Sequence, residues 1–139
     1  MQRCALLHVE DGDADAVSFR AALDEAGITV SVYRVSDGEQ ALAFLSKSGA
    51  YEAARRPALI LLDLNIPKVD GWAVLSRIVE DEELQKIPVV VLSSSRRQDD
   101  QARALSLGAR RYVVKPFDFE ELVLIAKSIC ADFLPVAAQ

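Results

Sequence analysis

The chain has 139 residues, which predicts one domain over residues 1–139, with a core over about residues 4–133 and a short C-terminal tail. Hydrophobic residues make up 51% of the chain and charged residues 27%, an ordinary balance for a globular protein. The formal net charge of −5 leaves no basic face for a polyanion, which argues against nucleic-acid binding.

The first apolar run, residues 5–9, is too short for a membrane span or a secretory signal. Cys4 and Cys130 lie near opposite ends of the chain, without the spacing of a redox or metal motif. Buried free thiols in a reducing compartment are the simpler interpretation. These features predict a cytoplasmic protein that does not contact a membrane.

The first half of the chain predicts three strands with two helices between them. Residues 5–9 and 58–62 are nearly continuous apolar runs, typical of strands covered on both faces. Residues 29–35 alternate between apolar and polar, as an edge strand does. Between the strands, apolar residues follow the helical period; one helix ends near Gly27 and the next begins at a capping pair that starts with Asp37.

The second half continues the alternation. Residues 89–92 predict a buried strand and residues 111–114 a shorter one. The pattern predicts three more helices: the third starts near Trp72, the fourth ends at Gly108 and the fifth starts at Asp118. Alternating strands and helices imply a parallel sheet with helices on both faces. Two edge-like strands, the second and the fifth, favour the α/β flavodoxin-like doubly wound (βα)5 fold, with a five-stranded sheet in the order 2-1-3-4-5.

Polar residues follow the apolar runs at the point where each run stops. Glu10 and Asp11 follow the first, Asp63 the third and Lys115 the fifth, and Ser93 ends the fourth. Taken singly, each of these residues could be a helix cap, a turn or a surface residue. Because the carboxyl ends of parallel strands meet at one edge of the sheet, we expect all of them to converge there.

Three close carboxylates repel one another and raise their pKa values unless a cation intervenes. Oxygen ligands with room for water suit Mg²⁺, which would leave one carboxylate to attack a phosphoryl group. The Lys115 ammonium and the Ser93 hydroxyl could then hold the transferred oxygens. The set is consistent with phosphoryl transfer.

Four segments resemble the motifs of response-regulator receiver domains in two-component signalling, in the family's order and spacing over residues 4–130. They are 10–11, 61–67 with 70–71, 88–93, and 108–117. The resemblance implies a partner histidine kinase. It also implies a phosphoacceptor that catalyses only its own phosphorylation and dephosphorylation, and is not otherwise an enzyme.

The resemblance also implies the role of each acidic residue. Asp63 matches the phosphoacceptor. Glu10 and Asp11 match the acidic pair that binds Mg²⁺ together with Asp63 and the main-chain carbonyl of Asn65. Glutamate at position 10 is a common variant of the family's aspartate.

Three further residues match the part of the family that responds to the phosphate. Ser93 matches the hydroxyl that moves toward it, and Lys115 the lysine that pairs with it. Tyr112 matches the aromatic switch residue that turns inward. The resemblance also implies a cis bond between Lys115 and Pro116.

The link over residues 46–57 is longer than in a minimal receiver. With the segment 62–68 and the tail 133–135, it resembles the small response regulators that serve bacterial phytochromes. This narrower resemblance implies a phytochrome-type kinase and a homodimer through the face of the fourth helix, fifth strand and fifth helix. We expect no output domain after the fifth helix, so that the signal leaves through surface contacts.

Three other functions share parts of this sequence pattern. A phosphatase of the haloacid dehalogenase type needs an aspartate where this chain has Asn65. A flavodoxin-like electron carrier needs a phosphate-binding loop after the first strand, where the acidic residues 10–13 would repel a phosphate. A receiver-like scaffold that is never phosphorylated remains an alternative.

His8 lies in mid-strand and is interpreted as a core residue, and Trp72 is interpreted as core or interface packing.

Overall fold

The computed structural model describes residues 4–47, 49 and 55–134, in which five strands alternate with five α-helices. The strands are β1 (Ala5–Val9), β2 (Ser31–Val35), β3 (Leu59–Leu62), β4 (Val89–Ser93) and β5 (Arg111–Val114). The helices are α1 (Asp13–Glu25), α2 (Gly38–Ser46), α3 (Gly71–Glu80), α4 (Gln98–Leu107) and α5 (Phe119–Phe133), with a 3-10 turn at Leu84–Lys86 before β4.

All five strands are parallel, in the order β2-β1-β3-β4-β5. The predicted flavodoxin-like fold and its strand order are confirmed. Because the order reverses at β1, the loops that leave the carboxyl ends of β1 and β3 diverge and leave a crevice between them. The candidate site lies there.

Each face of the sheet has its own core. The side chains of β1 alternate: Leu7 and Val9 pack under α2, α3 and α4, whereas Leu6 packs with Phe19 of α1 and Ile129 of α5. Every residue of β1, β3 and β4 is buried, which explains their unbroken apolar sequences.

His8 belongs to this core, as predicted. It is 1% exposed, and its ring centroid lies 5.0 Å from that of Phe19. Burial, together with the nearby charges of Lys115 and Arg34, lowers the pKa of His8 to about 4. The imidazole is therefore neutral at physiological pH.

Side-chain caps fix where α2 and α3 begin. The Asp37 carboxylate caps α2 by accepting a hydrogen bond from the Gln40 backbone amide at 2.7 Å. The Gln40 side chain accepts its hydrogen bond from the amide of Ser36, one residue before the Asp37 amide that a capping box would use. Asp70 caps α3 by accepting from the Ala73 amide at 2.9 Å.

Gly71, the first residue of α3, packs against the loop that follows β3. A Cβ atom there would lie 2.4 Å from Leu64 Cα and 2.6 Å from the Asp63 carbonyl oxygen. Its amide donates to the Leu64 carbonyl at 3.0 Å. This contact holds the residues after β3 in place beneath α3.

Several details differ from the sequence prediction. β2 begins at Ser31 and β3 at Leu59, each slightly later than expected. The expectation of a cis Lys115–Pro116 bond was wrong: no cis peptide occurs in the described residues, and the trans form is the intrinsically favoured one for X-Pro. Residues 48 and 50–54 of the long link, including Tyr51, and Pro135 of the tail lie outside the described residues.

Of the two cysteines, Cys130 is buried and Cys4 is half-buried, and burial raises the pKa of the Cys130 thiol to about 11. Among the helices of residues 4–47, 49 and 55–134, none has the length and hydropathy of a bilayer span.

Candidate functional site

The strands deliver the predicted residues to one cleft. Glu10 follows β1, Asp63 follows β3, Ser93 ends β4 and Lys115 follows β5. All four line one cleft of about 530 Å³. The predicted metal ligands Asp11 and Asn65 line it too, as do Trp72 and Asp100. These residues meet at the carboxyl edge of the sheet, as the sequence predicted.

Three carboxylates form the acidic part of this cleft. One oxygen each from Glu10, Asp11 and Asp63 lie within 4.8 Å of one another. Glu10 and Asp63 are buried, and Asp11 is exposed. Hard oxygen donors this close fit a divalent cation, because without one their charges repel. The residues therefore suit a divalent-metal site.

Lys115 supplies the positive charge of the site. Its Nζ lies 2.8 Å from Glu10 Oε1, 2.8 Å from Asp63 Oδ2 and 2.9 Å from Asp15 Oδ2. Burial opposes the charge on Lys115, but the hydrogen bonds to Asp15, Asp63 and Glu10 outweigh it and raise the lysine pKa. The ammonium is charged at any physiological pH.

Glu10 titrates differently from an ordinary glutamate. Its burial raises the pKa to about 7; the hydrogen bond from Lys115 lowers it and the charge of Asp63 raises it. Glu10 Oε2 also accepts from the Gly12 amide at 3.2 Å. The carboxylate is thus oriented from both sides, toward α1 and toward Lys115.

The backbone after β3 orients Asp63. Its amide donates to the Val9 carbonyl of β1 at 3.0 Å, and its Oδ1 accepts from the Asn65 amide at 2.9 Å. Lys115 holds the other carboxylate oxygen. Asp63 therefore has a buried carboxylate that is fixed in orientation and lines the cleft.

Ser93 and Tyr112 are joined through Ser95. The Ser95 amide donates to Ser93 Oγ at 3.2 Å, and the Tyr112 hydroxyl donates to the Ser95 carbonyl at 2.9 Å. The Ser95 hydroxyl donates to Asp100 Oδ2 in the first turn of α4 at 2.6 Å. One residue of the β4–α4 loop thus links the cleft, β5 and α4.

Trp72 also borders the cleft. It is half-buried against the core under α3, and the guanidinium carbon of Arg103, on α4, lies 4.0 Å from its ring centroid. This packing agrees with the sequence interpretation, and the cation–π pair ties α3 to α4.

The sequence prediction missed Asp15 and Asp100. Both lie in the first turn of a helix, where an acidic residue is ordinarily explained by the helix dipole. The local sequence therefore carried no signal that either residue reaches the cleft.

Comparison with known proteins bears on this geometry directly. The family model of the response regulator receiver domain matches residues 6–127. The chain belongs to this family. Its receiver fold and the acidic cleft at the carboxyl ends of the strands are therefore those of a two-component response regulator.

Within this family, the chain is similar to response regulators whose structures or sequences are known. This receiver domain is 39% identical over 124 residues to response regulator Rcp1 of Synechocystis sp., covering 89% of this chain and 84% of Rcp1. It superposes on the phosphorylated cyanobacterial phytochrome response regulator RcpA with a TM-score of 0.90, 39% identity and coverage of 99% of this chain and 98% of RcpA. The Mn²⁺-bound form of Rcp1 gives a TM-score of 0.87 at 37% identity, covering 96% of each chain.

These matches confirm the predicted resemblance to phytochrome response regulators. One of the two solved relatives is phosphorylated and the other holds a divalent metal. Both observations agree with a receiver domain that accepts a phosphoryl group and has a divalent-metal site.

Proposed function

We propose that this receiver domain accepts a phosphoryl group on Asp63 from a sensor histidine kinase and requires Mg²⁺ to do so. The observation that carries the proposal is the surroundings of Asp63: a buried carboxylate within 4.8 Å of the Glu10 and Asp11 oxygens and 2.8 Å from Lys115 Nζ. Glu10, Asp11, Asp63 and the main-chain carbonyl of Asn65 would hold the ion.

The reaction needs a nucleophile and compensation of charge. An Asp63 oxygen forms the bond to phosphorus while the bond between phosphorus and the kinase histidine breaks, and the histidine nitrogen keeps the electron pair. Bound Mg²⁺ supplies neutralisation of the carboxylates and of the phosphoryl oxygens. Lys115 pairs with one phosphoryl oxygen, and the Ser93 hydroxyl donates to another. Beyond its own phosphorylation and dephosphorylation, the domain catalyses nothing in this proposal.

The proposed output signal depends on the hydrogen bonds of Ser95. When the Ser93 hydroxyl turns toward the phosphate, its contact with the Ser95 amide is lost, and Tyr112 and Asp100 lose the geometry that Ser95 gave them. Tyr112 then turns inward, which changes the face formed by α4, β5 and α5. We propose that the chain acts as a stand-alone domain and signals through this face, including through a homodimer. Amide exchange confined to other elements on phosphorylation would contradict this.

The proposed donor is a phytochrome-type histidine kinase in the cytoplasm, where such kinases meet ATP. Support comes from the match to RcpA, whose name states its phytochrome link, at 39% identity across 99% of this chain. Transfer of phosphate from a purified phytochrome kinase, faster than from an unrelated histidine kinase, is the expected result.

The decisive experiment tests the acceptor itself. Wild type, Asp63→Asn and the control Asp13→Asn are incubated with acetyl phosphate, with Mg²⁺ or with EDTA, and weighed by intact mass spectrometry. Asp13 is an exposed acidic residue of α1 that pairs with Arg34. Wild type and the Asp13 variant should each gain one phosphoryl group only with Mg²⁺, and Asp63→Asn none. Phosphate on the Asp63 variant, or none on wild type, would refute the proposal.

A further inference from the structure

Three carboxylates surround the Lys115 ammonium: it donates hydrogen bonds to Asp15 and Asp63, and it forms an ion pair with Glu10. An ammonium has three N–H groups, and three carboxylate oxygens lie 2.8–2.9 Å from Nζ, on Glu10, Asp63 and Asp15. A phosphoryl group that enters the cleft needs one of these donors. The phosphoryl group therefore competes with these carboxylates for Lys115 when Asp63 is phosphorylated.

The three carboxylates differ in how easily they can leave. The side chains of Glu10 and Asp63 are 2% and 8% exposed, whereas that of Asp15 is 56% exposed. Glu10 and Asp63 are also held in place by the backbone amides of Gly12 and Asn65. An exposed carboxylate regains water, and an exposed ion pair contributes little. Asp15 is therefore the carboxylate that can most easily give up its contact with Lys115.

We propose that Asp15 is a positioning residue that acts through Lys115. In the unphosphorylated domain it holds the ammonium at the mouth of the cleft, and it yields this contact to the incoming phosphoryl group. Asp15 thus competes with the phosphodonor for Lys115, and its charge repels an anionic donor. The inference rests on the proposed function, because it assumes that Asp63 is the acceptor.

With acetyl phosphate, an Asp63 oxygen bonds to phosphorus, the bond from phosphorus to the acetate oxygen breaks, and acetate leaves with the electron pair. No proton is exchanged, and Lys115 stays charged throughout. Removing the Asp15 charge frees one N–H and takes away one repulsive charge. We expect Asp15→Asn to react about three- to tenfold faster at low acetyl phosphate, the size of one charge acting across a partly solvated gap.

The test compares wild type, Asp15→Asn, Asp15→Glu and Asp13→Asn at saturating Mg²⁺, over a range of donor concentrations. Asp13 lies in the same helical turn and pairs with Arg34, so its variant makes the same charge change away from Lys115. Asp15→Asn should lower the half-saturating acetyl phosphate concentration and leave the maximal rate within about twofold. The gain should be smaller with phosphoramidate, which carries less negative charge. Asp15→Glu should restore wild-type behaviour, and Asp13→Asn should match it.

A binding measurement separates Asp15 from the metal ligands. Calorimetry should give Asp15→Asn a dissociation constant for Mg²⁺ within about threefold of wild type, because one exposed charge contributes little to binding. A larger loss, or equal gains from Asp13→Asn, or equal gains with both donors, would overturn the positioning role. If wild type is phosphorylated and Asp15→Asn reacts no faster, the inference fails alone. If wild type is not phosphorylated at all, the proposed function fails.

Discussion

Replacing Lys115 by methionine removes the cation that three carboxylates share. The substitution keeps most of the side-chain volume, so the main loss is electrostatic. Glu10 and Asp63 stay buried and lose their counter-charge, while the exposed Asp15 contributes little to the cost. Breaking a buried ion pair by removing one partner costs about 3–5 kcal/mol. Because Glu10 can take up a proton, we expect a loss of about 3 kcal/mol in the free energy of unfolding at pH 8.

Urea unfolding at pH 8 in EDTA measures this loss, with Lys127→Met as the matched control. Lys127 is an exposed lysine of α5, and its substitution should change stability by less than about 0.5 kcal/mol. Mg²⁺ should stabilise Lys115→Met more than wild type, because the ion replaces the missing cation among the carboxylates. Equal losses in the two variants, or an equal gain from Mg²⁺ in wild type and Lys115→Met, would refute the electrostatic reasoning.

Two other changes test the supports of the site. Gly71→Ala places a Cβ 2.4 Å from Leu64 Cα, a backbone atom that cannot rotate away, so we expect a loss of about 2 kcal/mol or more in urea unfolding. Weaker Mg²⁺ binding should accompany it; the control Gly12→Ala, whose nearest contact is 3.5 Å, should cost far less, and equal losses would contradict the packing argument. His8 has a pKa lowered from 6.5 to about 4 in the folded protein, so its stability contribution is complete above pH 6.5 and falls as the pH drops toward 4. From pH 7 to 5 the wild type should lose about 2 kcal/mol more than His8→Leu in urea unfolding, and parallel pH curves would show that His8 is not the cause.

The fold was predictable because its signals are local. β1, β3 and β4 are covered by helices on both faces, and full burial requires an unbroken apolar sequence. The residue that ends or follows each run marks the carboxyl edge of the sheet. Since parallel strands align those edges, position along the chain alone predicted that Glu10, Asp63, Ser93 and Lys115 would meet.

What escaped prediction depends on contacts between distant elements. Asp15 reaches Lys115 only because α1 is rotated so that its first turn faces the end of β5, 100 residues away in sequence. Asp100 reaches Ser95 through the path of the β4–α4 loop.

The position of Trp72 has a practical consequence. It is the single tryptophan of the chain, it borders the cleft, and Arg103 of α4 stacks on its ring. The protein thus carries its own optical reporter, in a place where the proposed phosphoryl group and the proposed change at α4 would both alter the indole environment. Tryptophan emission would then follow phosphorylation of Asp63 in real time, without a label and without a second tryptophan in the signal.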